Sequence, residues 1–392
     1  MKHLQHTIVA LAVLAVGHAQ LLFTSPGDSG FKLADQTTVP DIWVAKNDIV
    51  GVERTAQDVA WDFGRVVGMN STLVVAGHCR KMNGTKPMII AGTIGNSTLI
   101  DGLIADDKLD VKGIKGEWES FTIQVVEKPT PSVPWALVVA GSDRRGTIYG
   151  LYDISEQMGV SPWYWWADVP VKTKTDIWVS PKGKVGRTPS IKYRGFFIND
   201  EAPALSGWVN ENFGSKFNSK FYALVFELCL RLKGNYIWPA MWGKMFYVDD
   251  EKNGQLAHDY GVIMGTSHHE PMARSEREQQ LYAVGDWDWS SNKENLEVFF
   301  QEGIDRAKDW DTIFTMGMRG KGDVASPTLT AEDLEELIAF QQQLLMDTFD
   351  ATDPNEIPQT WVLYKVMTVI LLFHFTITDD NYRRSASTML LD

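Results

Sequence analysis

The chain has 392 residues and a formal net charge of −13, long enough for two domains. That acidic balance argues against nucleic acid or an anionic membrane surface as the main partner. Fifteen tryptophans are heavy use for the length; a Trp face suits a sugar ring, although any single Trp is more often a core filler.

The first nineteen residues read as a signal peptide. Lys2 gives a positive start, 8–16 is an apolar run too short to span a bilayer, and Gly17, His18 and Ala19 place small residues at a cleavage point. The protein is therefore expected to be secreted and extracellular. Sequons at Asn70, Asn83 and Asn96 fit a glycosylated secretory protein. Of two cysteines, Cys79 and Cys229, the second lies in an apolar helical stretch and is expected as a buried free thiol. The fold should not depend on disulfides.

Residues 20–180 read as an N-terminal α/β sandwich domain. Val59, Phe63, Val66 and Val67 have helical spacing; 72–76, 87–91 and 117–126 are short β runs, and 135–140 is a buried strand. Gly141 to Gly146 turns that strand into a helix ending at Met158. A Gly-bounded turn at a helix N-terminus suits a phosphate, but the spacing is that of neither a P-loop nor a dinucleotide fingerprint, so the plain reading is a tight connection. The segment SPWYWWADVP, 161–170, holds four aromatics between two prolines and suits a domain junction or a cleft rim. Residues 171–190, rich in Lys, Pro, Gly and Ser, read as a linker.

From 190 onward strands and helices alternate. A strand over 191–201 ends in Asn199, Asp200 and Glu201, and a helix over 218–233 follows. The second strand, 235–241, carries Trp238, with Trp242 just beyond. The third, 262–265, leads to His268, His269 and Glu270; the fourth, 312–316, to Arg319 and Asp323; a fifth covers 359–364. Helices over 255–260, 292–310 and 331–349 separate them. Collected ionisable and aromatic residues at strand C-termini are what the mouth of a (β/α) barrel presents. Each taken singly is a cap or a solvated loop residue; together they read as a site.

Two carboxyl groups in one cleft divide into acid and base when their environments differ, which is the equipment of glycoside hydrolysis. Arg319 adds a planar fork for a sugar carboxylate. A metal on His268, His269 and Glu270 is the competing reading. Adjacent residues on a strand face opposite ways and no HExxH occurs, so no metal and no cofactor are expected. No G-x-S-x-G elbow is present either.

The stretches AGSDRRGTIYGLYDISEQMGVSPWYWWADVPV, YRGFFINDEAP, GNYIWPAMWGKMF, GVIMGTSHHEPM and TMGMRGKGD resemble glycoside hydrolase family 115, the xylan α-1,2-glucuronidases. The resemblance runs from about residue 38 to 365. It implies an N-terminal α/β domain and a (β/α)8 TIM-type barrel, here 190–392, with inverting removal of (4-O-methyl)glucuronic acid from glucuronoxylan or aldouronic oligosaccharides. By motif it implies catalytic roles for Asp200, Asp323 and Asp380. It also implies substrate contacts for Glu156, Asn199, Trp238, Trp242, His268, His269 and Arg319. The chain departs from the family at Tyr364-Lys365-Val366, where a Glu is the pattern, and it stops soon after Asp380. The expectation is an incomplete barrel arising from a gene-model error, poorly stable and weakly active or inactive. The alternative is a non-catalytic remnant that binds uronosyl polysaccharide. Oligomeric state is left open.

Overall fold

The computed structural model describes residues 23–25, 30–77 and 86–362. The expected signal peptide, Cys79, the Asn83 sequon, Val366 and Asp380 lie outside the described residues. The chain is of mixed α/β class, with several sheets.

The first part comprises β1 (Phe23–Thr24), β2 (Phe31–Asp35), β3 (Asp41–Ala45), α1 (Val50–Val67), β4 (Thr72–Ala76), β5 (Met88–Thr93), α2 (Thr98–Ala105), β6 (Phe121–Thr130), β7 (Val133–Gly141), α3 (Arg144–Met158), β8 (Asp176–Val179) and β9 (Lys184–Gly186). Six strands form one sheet in the order β4-β3-β5-β7-β6-β9, with β4, β3, β5 and β7 parallel and β6 antiparallel to both its neighbours. Its central strands are continuous apolar runs because both faces are covered. Ile42, Val44, Ile89, Leu137 and Val139 face Val59 and Phe63 of α1 and Ile148 and Leu151 of α3. The alternate residues Trp43, Ile90 and Val138 face Leu99, Ile100 and Leu103 of α2. Each such side chain, fully buried, contributes roughly 1.5–3 kcal/mol of transfer free energy before conformational entropy is set against it.

The stretch read as a linker is more structured than its composition implies. Ile177 and Val179 are buried, and β8 pairs with β1 and β2 while β9 completes the large sheet. Two buried residues in alternation outweigh the surrounding Lys, Gly and Pro. The 141–146 turn is a tight connection. Asp143 accepts from the Gly146 N–H at 2.8 Å, so a carboxylate already occupies the place an anion would take at that helix end.

The second part comprises β10 (Gly195–Phe197), α4 (Ala204–Phe213), α5 (Ser219–Arg231), β11 (Tyr236–Trp238), α6 (Phe246–Asp249), α7 (Lys252–Tyr260), β12 (Ile263–Met264), α8 (Glu276–Tyr282), α9 (Trp289–Ala307), β13 (Phe314–Thr315), α10 (Ala331–Phe349) and β14 (Gln359–Thr360). β10, β11 and β12 pair in parallel, a parallel bridge joins Met264 to Thr312, and β13 pairs in parallel with β14. The first of these strands is shorter than its alternating pattern implies. Ile191 is exposed, and beyond Ile198 the chain leaves the ladder so that Asp200 can accept backbone bonds from the next loop. The loop before α5 also holds α4, which sequence reading missed.

The two parts meet at the N-terminal ends of the parallel strands. Glu119, almost fully buried, accepts from Arg145 Nε (2.6 Å) and Asn235 Nδ2 (2.7 Å) on one oxygen and from Arg194 Nη2 (2.6 Å) on the other. Arg144 and Arg145 both pair with Asp311. Arg194 and Asn235 directly precede β10 and β11, so this network holds that end of the strands against the larger sheet. The segment 161–167 bridges elsewhere: Trp166 donates to Leu224 O, Tyr164 to Glu227, and Trp208 of α4 packs beside Trp165 and Trp166. The segment thus packs on α4 and α5. Cys229 is free and buried, and burial pushes its thiol up to about 12. Among the described residues no helix is long and apolar enough to cross a membrane.

Candidate active site

The C-terminal ends of the parallel strands lie opposite the Glu119 network, and they carry the chemistry. Beyond β13 the chain passes Gly317, Gly322 and Asp323 with φ of +84°, +72° and +60°. Two successive left-handed residues fold the loop back, and Asp tolerates that conformation better than most. Asp323 thereby meets Arg319: Nη1 lies 2.6 Å from Oδ1, and Nη2 donates to the Asp323 backbone oxygen at 3.2 Å. Trp287, buried against α9, donates its indole N–H to Arg319 O at 2.7 Å and holds the loop in place.

His268 and His269 follow β12 rather than sitting on it. The expectation that they face opposite ways is thus corrected: in a turn, neighbouring side chains converge, and their rings are 4.9 Å apart. His268 Nε2 lies 2.9 Å from Asp323 Oδ1, and His269 Nδ1 lies 3.9 Å from the same oxygen. Burial holds His268 below the usual imidazole range, with Asp323 offsetting part of that effect. His269 Nε2 meets Glu276 Oε2 at 3.3 Å, and its Nδ1 is 3.2 Å from Ser267 Oγ. The hydrogen bond from His269 holds the Glu276 carboxyl below its ordinary value, whereas complete burial pushes Glu270 up to about 7.

His268, His269 and Asp323 bring three potential ligand atoms within 4.8 Å of one another. The carboxylate oxygen they share already faces the Arg319 guanidinium, so a metal cation there would meet a fixed positive charge at contact distance. The cluster suits an ion-paired carboxylate better than a metal centre.

Asp200 lies deeper than its place in the sequence implies. It is fully buried; Oδ1 accepts from the N–H groups of Met241 (2.7 Å) and Trp242 (3.1 Å), while Oδ2 has no hydrogen-bond partner among the described residues. Burial pushes its carboxyl up, and the two backbone bonds offset part of this. Asn199 Oδ1 accepts from Trp242 Nε1 at 2.9 Å, and this pair is exposed. Trp238 stands edge-on to Phe197 and hydrogen-bonds Tyr236, and a side chain at Gly265 would collide with both of those polar atoms.

Glu156 is not brought to this group. It sits in the last turn of α3, half-exposed and 3.9 Å from Lys233, which precedes β11 at the opposite end of the strands. Glu276, Ser267 and Trp287 were missed by sequence reading. The S-x-x-E box over 275–278 caps α8 through Ser275 and Glu278, so it marks a helix start and does not single out Glu276.

Comparison with known proteins assigns the class. The structure matches, with a TM-score of 0.75 and 29% identity, one described as a novel family GH115 4-O-methyl-α-glucuronidase, BtGH115A, with specificity for decorated arabinogalactans. The likeness is thus to a glycoside hydrolase. Residues 186–380 match the family model described as glycosyl hydrolase family 115, the family that the sequence motifs resemble. The match to BtGH115A covers 88% of this chain and 45% of that one, so the chain spans less than half of that relative's length. CpGH84D and a GH138 enzyme targeting pectin rhamnogalacturonan II match with TM-scores of 0.44 and identities of 10% and 13%. Those matches cover 82% and 80% of this chain and 46% and 43% of theirs. No curated protein matches the chain.

Proposed function

We propose that the chain belongs to a secreted α-glucuronidase that removes (4-O-methyl)glucuronic acid side chains from glucuronoxylan or aldouronic oligosaccharides with inversion. The observation that carries this reading is the Arg319–Asp323 pair. A guanidinium buried beside a carboxylate, at the C-terminal ends of parallel strands, supplies both an anchor for a uronic acid and a group for acid–base chemistry. In this reading β10 to β14 belong to the wall of a (β/α)8 barrel. Asp323 and Asp200 are catalytic carboxyls, with Asp380 a third candidate beyond the described residues. Arg319, His268, His269, Asn199, Trp238 and Trp242 hold the sugar.

Inversion requires that one carboxyl protonate the leaving oxygen while another activates a water on the opposite face of the ring. Raised by burial, Asp200 suits the acid; Asp323, facing Arg319 and His268, suits the base.

A second reading is favoured by one observation: Asp323 is the only candidate catalytic carboxyl of the sequence that the described residues place in the Arg–His cluster. On that reading the chain binds uronosyl polysaccharide without cleaving it. The test is release of 4-O-methylglucuronic acid from glucuronoxylan, and from decorated arabinogalactan, by this chain and by a form extended through a complete barrel. Release by either form supports the hydrolase. Binding without release by both supports the second reading.

A further inference from the structure

We propose that Glu270, Ser267, His269 and Glu276 form a hydrogen-bonded relay that holds one shared proton and presents it on the ring beside Asp323. Its catalytic meaning rests on the role proposed above for Asp323; its existence does not. The links are Glu270 Oε2 to Ser267 Oγ at 3.0 Å, Ser267 Oγ to His269 Nδ1 at 3.2 Å, and His269 Nε2 to Glu276 Oε2 at 3.3 Å. All four residues are buried.

Donor counting gives two arrangements. In one, the Glu270 carboxylate accepts from the Ser267 hydroxyl, whose oxygen accepts from His269 Nδ1–H, and Glu276 accepts from Nε2–H; the ring then carries two protons. In the other, Glu270 is a carboxylic acid that donates to Ser267 Oγ, the Ser267 hydroxyl donates to Nδ1, and only Nε2–H remains on the ring. One O–H bond breaks at Glu270 and one forms at Ser267, while the original Ser267 proton passes to Nδ1. No proton is gained or lost, and the group carries one net negative charge in both arrangements.

Complete burial disfavours the Glu270 carboxylate and pushes its carboxyl up to about 7, which opens the carboxylic-acid arrangement to it. Facing the ring are Asp323, with Arg319 behind it, and His268; Arg274 lines the hollow beside Glu276, and buried Tyr222 senses Glu270. An ionised Asp323 draws the proton to His269. When Asp323 takes up a proton of its own, the shared one returns to Glu270. Ser267, Glu270 and Glu276 act through His269 and are positioning residues.

Glu270 also braces the loop, accepting from the Glu276 N–H at 2.8 Å. The test therefore needs a readout that bracing alone would not move. The full chain is prepared with ring-¹⁵N histidine and carboxyl-¹³C glutamate and titrated by NMR without substrate, the signals assigned from Glu270→Gln and His269→Asn. The expected result is that the Glu270 carboxyl and the His269 ring shift together over one pH range in the wild type, and separately in Ser267→Ala. Independent titration in the wild type would overturn the relay, as would unchanged joint titration in folded Ser267→Ala. The wild-type comparison needs no variant, so a misfolded Ser267→Ala does not remove the test. Failure to release uronic acid would count against the proposed function and leave this result standing.

Discussion

Arg319 and Asp323, four residues apart on a loop, close on each other through two contacts: guanidinium to carboxylate at 2.6 Å and guanidinium to backbone oxygen at 3.2 Å. Lysine cannot reproduce both from one planar group. Arg319→Lys is therefore expected to fold and to lose on the order of a hundredfold in kcat/KM for uronic acid release, about 3 kcal/mol. Arg319→Ala should also lower stability by about 3–5 kcal/mol, because the buried carboxylate loses its main countercharge. Steady-state kinetics and urea unfolding check the two effects separately. Full activity in Arg319→Lys would remove the fork from the mechanism.

Asp200 separates a bracing role from a chemical one. Its Oδ1 serves two buried backbone donors, a duty an amide oxygen also performs. Asp200→Asn should keep the wild-type melting temperature and lose uronic acid release, while Asp200→Ala should cost about 1–3 kcal/mol for each donor left unsatisfied. Retained activity in a folded Asp200→Asn would reduce Asp200 to a brace.

Glu270 gives a signed pH dependence. Its folded value, about 7, lies above the unfolded value of 4.5, so between those limits the native state binds more protons than the unfolded one. Stability then falls as pH rises through that window, by a few kcal/mol at most. His268 runs the other way: its folded value is below 6.5, so the unfolded chain binds the proton first and stability rises with pH below that point. The test is accordingly a difference. Glu270→Gln should flatten the fall in urea midpoint between pH 5 and 7 relative to wild type, and equal slopes would contradict the assignment.

Glu119 holds the two parts of the chain together through three donors that converge on one buried carboxylate. Glu119→Ala leaves Arg145 and Arg194 facing a buried gap, and a loss of about 3–5 kcal/mol is expected. Proteolysis should then cut near 187–193 sooner than in the wild type. A thermal melt and a limited digest, run together, decide this.

Gly195 has no room for a side chain, since a Cβ there would lie 1.5 Å from the carbonyl oxygen of Tyr236 on the paired strand. Gly195→Ala must push β10 off β11. Lost soluble yield, or destabilisation of about 1–3 kcal/mol or more, is expected, with the melting temperature as the check.

Helix α10 shows how much is legible locally. Its bounds, Ala331–Phe349, follow from apolar periodicity and from a Thr330–Asp333 capping box written in adjacent residues. The N-cap of α5 at Asn218 is equally local. Asn199, Asp200, His268, Arg319 and Asp323 were legible as candidates because each lies in a loop that follows a strand in an alternating pattern. The parallel strands themselves, two or three residues long, were not measurable from the sequence, because their ends are set by where a neighbouring strand stops pairing.

The sequence by itself thus determined the α/β class, the main helices, the family motifs and the residue types that gather after the strands, since these depend on periodicity and near neighbours. Only the tertiary structure decided which of those residues meet. It turned His268 and His269 onto one carboxylate, buried Asp200, set Glu156 at the far end of the strands, and brought Glu276 against His269 from the next helix. A hydrogen bond near 3 Å depends on where two separate elements pack, and no local pattern encodes that distance.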